Sequence, residues 1–390
     1  MIIRNYKASL LLTFFFFLLF SSCEHGVKNT ESNCTIEVRF DSIDFAGTAY
    51  LERLDPFKTY IEDSIAVKLD KKNVFSIIPK QFPDIYIIRF NKEQAITLII
   101  DSNSQIIVNI NKSPFNLNYS IENSSESQLV ANNNNIINKH IDIFEKTYSK
   151  YRSAPRDENF NQLRKTTDSI LYQNNSDLYY ELKNSIESNQ TSLASIIAIY
   201  SRFGGNRIFN MEIDSSLFIS LSKSLLHKYP DNSHVQFLKN NVDELLNNIR
   251  LKEIRESKLD KGYIFPDITL NSLDNTQYSI KNTHSKYIIV YLWQSKYKKF
   301  WDTNPVLKEL YNNYDRKTLE IIGISFEQDK LSWANYCSME KMNWINLISG
   351  PENEALINPT GKYPRIFILD SSFKILNKNA SINELKTFLK

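Results

Sequence analysis

The chain has 390 residues, with 47 Lys and Arg against 44 Asp and Glu, so its formal charge is +3. That length exceeds what one hydrophobic core usually covers, so two or three domains are expected. A balance this near neutral supplies no basic face of the kind that nucleic-acid binding needs, and nucleic acid is set aside as a partner.

The first residues place the protein outside the cytoplasm. Arg4 and Lys7 precede an apolar run from Leu10 to Phe20, broken only by Thr13 and too short to span a bilayer comfortably, as in a signal peptide over residues 1–22. Ser21, Ser22 and Cys23 follow at once. Small residues directly before a cysteine at the end of such a run resemble the lipobox of bacterial lipoproteins, with Phe20 where leucine is commonest. The resemblance implies that Cys23 carries the lipid (palmitate among its acyl groups) and anchors the chain to a membrane in the cell envelope, with the periplasmic side of the outer membrane as the default location. An ordinary secretory signal that happens to contain a cysteine is the alternative.

Two cysteines remain, Cys34 and Cys337, about 300 positions apart. No C-x-x-C or zinc-like cluster can be written from them. A disulfide between them is chemically allowed in an oxidising envelope, but two isolated thiols are the expectation.

After a linker over residues 23–33, seven short runs succeed each other: CTIEVRF, GTAYLERL, SIAVKLD, NVFSIIP, DIYIIRF, AITLIID and SQIIVNI. Many alternate with period two, and Asp, Asn, Lys or Pro bound them, which predicts an antiparallel sandwich or small barrel over residues 34–122. The region resembles the N-terminal β-domain found ahead of thioredoxin-like modules in bacterial envelope lipoproteins, and no chemistry is carried over from it. From Ser124 the apolar spacing becomes three and four, giving a helical region over residues 123–258. Ser124 or Ser125, Asp214 and Asn232 are candidate helix caps, and Gly204 and Gly205 mark a break. Asn132 to Asn135 reads as a weak spot in the first helix. His140, His227 and His234 have no ligand spacing, and nothing in the chain points to a metal, nucleotide or haem.

The segment KYIIVYLWQSKYKKFWDTNP (Lys286 to Pro305) reads as a buried strand, a turn and a helix from near Lys298. With it go Gly262, Phe265, Pro266 and Asp267 upstream, the strand Leu319 to Glu327, Tyr363-Pro364, and the strand Ile366 to Asp370. These landmarks over residues 259–390 resemble the thioredoxin-like thiol-disulfide reductases of the bacterial envelope, within the superfamily that also holds the AhpC-TSA-like proteins. The resemblance implies a βαβαββα thioredoxin-like domain with Pro364 as the cis-proline facing the active site. On the family's Trp-x-x-x-Cys-x-x-Cys pattern, Trp293 takes the leading tryptophan, while Tyr297 and Phe300 fall where the two cysteines belong. Thiol-disulfide exchange needs a thiolate and a resolving thiol. A phenol and a phenyl ring supply neither, so no catalytic residue is assigned at this site. The peroxidatic cysteine of peroxiredoxins is missing by the same reasoning.

Trp293, Tyr297, Phe300, Trp301 and Tyr363 are expected to gather around Pro364, with Lys296, Lys298 and Lys299 adding charge. Such a patch fits a protein, peptide or glycan ligand; the same aromatics equally fit a packed loop. The whole is therefore a multidomain protein, all-β then α-helical then α/β, whose thioredoxin-like domain is a redox-inactive binding or scaffolding module. The alternative is an oxidoreductase or antioxidant protein using Cys337 or Cys34. Cys337, four residues after Trp333 on a helix, is expected to be buried and inert.

Overall fold

The computed structural model describes residues 34–41, 47–67 and 73–388. The signal segment, Cys23 and the linker lie outside the described residues. Two compact units divide between Leu178 and Tyr179.

Among the described residues the first unit holds eight strands: β1 (Cys34–Phe40), β2 (Gly47–Leu54), β3 (Thr59–Val67), β4 (Asn73–Ile77), β5 (Asp84–Arg89), β6 (Ala95–Ile100), β7 (Gln105–Ile110) and β8 (Tyr119–Glu122). They form two four-stranded sheets, β4-β1-β7-β8 and β3-β2-β5-β6. Period-two alternation turns Ile36, Val38, Ile106 and Val108 of one sheet, and Leu51, Ile88, Ile96 and Leu98 of the other, into a common core. The sandwich departs from an all-antiparallel one in one respect, because β1 and β7 pair in parallel. Inside it Asp84 is fully buried, and its Oδ2 accepts from Arg53 Nε at 2.7 Å.

Two helices follow in this stretch, α1 (Ser125–Ser153) and α2 (Phe160–Ser188), the second crossing the boundary between units. Ser124 Oγ accepts from Ser127 N and caps α1. The run Asn132 to Asn135 does not break α1, and Asn133 is buried. Ser127 Oγ lies between the backbone N–H and C=O of Ile99, at 2.9 and 3.0 Å, so the start of α1 covers open hydrogen-bonding groups on edge strand β6.

The second unit continues with α3 (Leu193–Ile199), a small hairpin of β9 (Arg202–Phe203) and β10 (Asn206–Arg207) turning at Gly204 and Gly205, α4 (Ser215–Lys228) and α5 (Ser233–Ser257). Asn232 caps α5, its Oδ1 accepting from His234 N and Val235 N. Asp214 stands at the head of α4 but makes no side-chain cap: its carboxylate accepts instead from Tyr179 Oη at 2.6 Å and Asn210 N at 2.7 Å. The first half of α5 is buried through Val235, Leu238, Val242 and Leu245. From Leu246 to Arg255 every residue but the half-buried Ile249 is exposed.

The remaining elements are β11 (Thr269–Ser272), β12 (Gln277–Ser279), β13 (Tyr287–Trp293), α6 (Lys298–Asn313), β14 (Leu319–Ser325), α7 (Lys330–Met339), β15 (Ile345–Ile348), α8 (Pro351–Ile357), β16 (Arg365–Asp370), β17 (Ile375–Lys378) and α9 (Ile382–Phe388). One seven-stranded sheet runs in the order β12-β11-β15-β14-β13-β16-β17. The βαβαββα order expected from sequence is therefore extended by the β11–β12 hairpin, by β15 and by the short α8. Parallel β13 and β14 are central and buried along almost their whole length, as strands covered on both faces must be. At Gly323 of β14 a β-carbon would meet Trp344 Nε1 at 2.8 Å, so the indole closes over a backbone that must be glycine.

Alternate residues of β13 feed two cores. Ile288, Val290 and Leu292 join Phe265, Ile268, Ile357 and Tyr363. Ile289, Tyr291 and Trp293 join Phe300 and Leu307 of α6, Trp333 and Cys337 of α7 and Leu385 of α9.

Candidate functional site

The turn from β13 into α6 carries the residues singled out from sequence. Tyr297 is the N-cap of α6, with extended backbone and no side-chain cap, and Phe300 N donates to Tyr297 O at 2.9 Å. Glu327 Oε1 holds the turn from the other side by accepting from Ser295 N at 2.5 Å. No acidic residue stands in the first turn of α6; Lys298 and Lys299 stand there instead, against the helix dipole.

The five aromatic residues do not gather in one place. Phe300 is fully buried and stacks on Trp293 at 4.6 Å, 24° from parallel. Trp301 leans edge-on against Phe300 at 5.0 Å and Tyr336 at 6.1 Å, half in solvent, and its Nε1 donates to Ser295 O. Tyr297 joins the other core, stacked on Tyr363 at 5.6 Å, while Phe326 packs on Tyr363 at 5.7 Å. Phe300 and Trp293 thus lie on one face of the sheet and Tyr297 and Tyr363 on the other.

Tyr363 precedes Pro364 through a cis peptide bond. Its hydroxyl donates to Glu354 Oε1, and burial, helped by that carboxylate, pushes its pKa up from the ordinary phenol value. Lys296 Nζ sits 5.2 Å from the centre of the Tyr297 ring.

A groove of about 820 Å³ opens beside this stack, lined by Tyr297, Lys299, Asp302, Lys362, Tyr363 and Pro364 together with Asn379 to Asn383. Of the four candidate binding residues, Tyr363 and Pro364 line it; Trp293 is buried on the opposite face and Trp301 lies outside it.

Sequence reasoning missed one group at the site. Arg365, next to the cis-proline, is buried, and its guanidinium is gripped by Glu256 of α5 through Nη1–Oε2 at 2.9 Å and Nη2–Oε1 at 2.7 Å. Lys378 Nζ adds a contact to the same carboxylate at 3.3 Å and another to Asp260. The available signal was the arginine itself, a charge opening the apolar run RIFILD, which a buried strand tolerates only with a partner.

The two thiols are remote from this chemistry. Cys337 lies on the buried face of α7, and burial pushes its thiol up to about 12. Cys34 is fully buried in the sandwich core, with Sγ 3.4 Å from Asp101 O. Both are free. Among the described residues no cluster of three or more His, Cys, Asp or Glu is placed to hold a metal ion.

Residues 285–375 match a family model described as thioredoxin-like. The C-terminal domain is thioredoxin-like. A relative, the thiol-disulfide oxidoreductase ResA of Bacillus cereus, is 20% identical over 123 residues, covering 32% of this chain and 71% of its own. Among solved structures, a thiol:disulfide interchange protein from Bacteroides sp. is 21% identical over 34% of this chain and 89% of that one, with TM-score 0.32. The thioredoxin domain of a thiol-disulfide oxidoreductase from Bacteroides vulgatus is also 21% identical, over 34% and 99%, with TM-score 0.31.

Proposed function

We propose that this protein is a lipid-anchored component of the cell envelope, and that its thioredoxin-like domain has kept a ligand groove while losing thiol-disulfide exchange. One observation carries the reading: where such exchange would need two sulfurs, a half-buried phenol stands at the groove and a phenyl ring is sealed in the core. No shift of pKa turns either ring into a sulfur nucleophile. The remaining thiols are buried, and that of Cys337 is held protonated far above neutral pH. What persists is a concave surface with two stacked tyrosines, a cis-proline and the cations Lys299 and Lys362, suited to an extended peptide segment or a sugar face.

Insulin-disulfide reduction and peroxide turnover test the redox half of the proposal on a chain begun at Glu24, which retains every described residue. No turnover is expected; activity lost on Cys337→Ser or Cys34→Ser sinks the reading. A peptide array and an oligosaccharide array test the other half. Tyr297→Ala or Tyr363→Ala should remove bound signal that Trp301→Ala leaves in place, and equal loss in all three would mean that the groove is not the site.

A further inference from the structure

One end of the β-sandwich carries an aliphatic and aromatic tip that its core does not use. Phe57, at the turn between β2 and β3, is 84% exposed; Ile78 and Phe82, in the segment joining β4 to β5, are 56% and 36% exposed. The two segments meet over Tyr60: Lys58 Nζ of the first lies 4.4 Å from the centre of its ring, and Lys80 Nζ of the second lies at 5.7 Å. Large apolar side chains standing out of a surface beside lysines have the composition of a membrane-interface contact. The rings reach the headgroup and acyl boundary while the ammonium groups meet anionic lipid. The acidic residues at this end are turned to their own loops. Asp55 accepts from Phe57 N at 3.1 Å and faces Arg53 at 4.0 Å, while Asp101 accepts from Ser102 N at 2.8 Å.

The path of the chain identifies the occupant. Cys34, the first described residue, pairs with Ile77, the neighbour of Ile78, so the polypeptide enters the sandwich at this same end. Ten residues, 24–33, separate Cys23 from it. Fully extended, that span reaches about 40 Å and no further. A tether of that length, entering beside the tip, keeps the tip within reach of whatever surface Cys23 is attached to.

We infer that the tip formed by Phe57, Ile78 and Phe82, with Lys58 and Lys80, docks on the anionic surface of the membrane that holds the N-terminus. The contact supplies the second of the two signals that stable anchoring requires and fixes how the sandwich stands on the bilayer. The proposal rests on the reading of Cys23 as the lipid-bearing residue, but its test is made without that lipid.

The chain begun at Glu24 is sedimented with vesicles of phosphatidylethanolamine and phosphatidylglycerol, and in parallel with vesicles of phosphatidylcholine alone. It should pellet with the first and not the second, and should be released by salt as screening shortens the reach of the lysines. Phe57→Ser with Phe82→Ser should lower the bound fraction on the order of tenfold. Lys58→Gln and Lys80→Gln should each cost about fivefold on the anionic vesicles. All four positions are on the surface, so thermal melting should be unchanged in the variants. Failure of the parent chain to pellet with anionic vesicles, or pelleting that the variants leave intact, overturns the inference. So does concentration-dependent self-association abolished by the same serine variants, which would make the tip a contact between copies. Incorporation of labelled fatty acid at Cys23, lost in Cys23→Ser, tests the anchor separately, so either idea can fall without the other.

Discussion

Tyr297 and Phe300 are three residues apart on one turn of helix, yet they have opposite fates. Phe300 faces the α6 side of the sheet, is fully buried and is stacked on Trp293. Tyr297 faces the other side, is half-buried and lines the groove. The pair therefore shows two distinct settings for a ring at the same turn. Phe300 belongs to the core, where its identity is a matter of packing. Tyr297 lines the groove, where its identity matters to whatever approaches.

That contrast is easiest to break by truncation. Phe300→Ala should cost about 3–5 kcal/mol in urea unfolding, because the ring is fully buried and Trp293 loses its stacking partner. Tyr297→Ala should cost about 1 kcal/mol, while groove binding falls. Equal costs would erase the distinction. Close behind in size is Glu256→Ala, which leaves the buried Arg365 guanidinium without its carboxylate and should destabilise by about 3 kcal/mol. Because the pair is bidentate and the arginine abuts the cis-proline, Glu256→Ala should also weaken groove binding, whereas Phe300→Ala should act on stability alone. Adding Arg365→Met to Glu256→Ala should restore much of the stability, since the unpaired buried charge is then gone.

Much of this was legible in the sequence. Buried β13 announced itself as an unbroken apolar run, and Tyr363-Pro364 marked the cis-proline loop. Period-two alternation gave seven of the eight strands in the sandwich. The split of the aromatic cluster was not legible, because it depends on how the turn from Gln294 to Tyr297 resets the direction of side chains between a strand of period two and a helix of period 3.6. The grip of Glu256 on Arg365 was hidden for another reason: the partners are 109 positions apart, and no local pattern links them. β8 escaped notice because its four residues, YSIE, place a single buried side chain, Ile121, in the core. The groove itself is a property of three converging segments and has no signature in any of them.

Smaller effects sharpen the comparison further. In the chain begun at Glu24, neither Cys34 nor Cys337 should react with a thiol reagent at pH 8 on the timescale of minutes, and both should react at once in denaturant. The thiolate fraction of Cys337, with its pKa pushed up to about 12, is on the order of one in ten thousand at that pH. Fast labelling of the native chain would reopen thiol chemistry. The smallest effect concerns Tyr363. Its folded pKa lies above the unfolded phenol value of about 10, so the stability it contributes is complete below that pH. It is lost as pH rises, because the unfolded chain sheds the proton first. Tyr363→Phe should therefore flatten the alkaline limb of the stability curve above about pH 10 while costing about 1 kcal/mol at pH 7 for the lost bond to Glu354. An unchanged alkaline limb would mean that another group controls it.

Helix α5 is packed through its first half, gripped near its end by the Glu256 ion pair, and nearly bare from Leu246 to Arg255. Local opening is cheapest where few side chains are buried, so a trypsin-like protease would cut first at Arg250, Lys252 or Arg255. A cut there would leave both stubs moored, one by Leu238 and Val242 in the helical core and the other by the carboxylate on Arg365. The nicked protein would keep its size in a native gel and come apart only in denaturant.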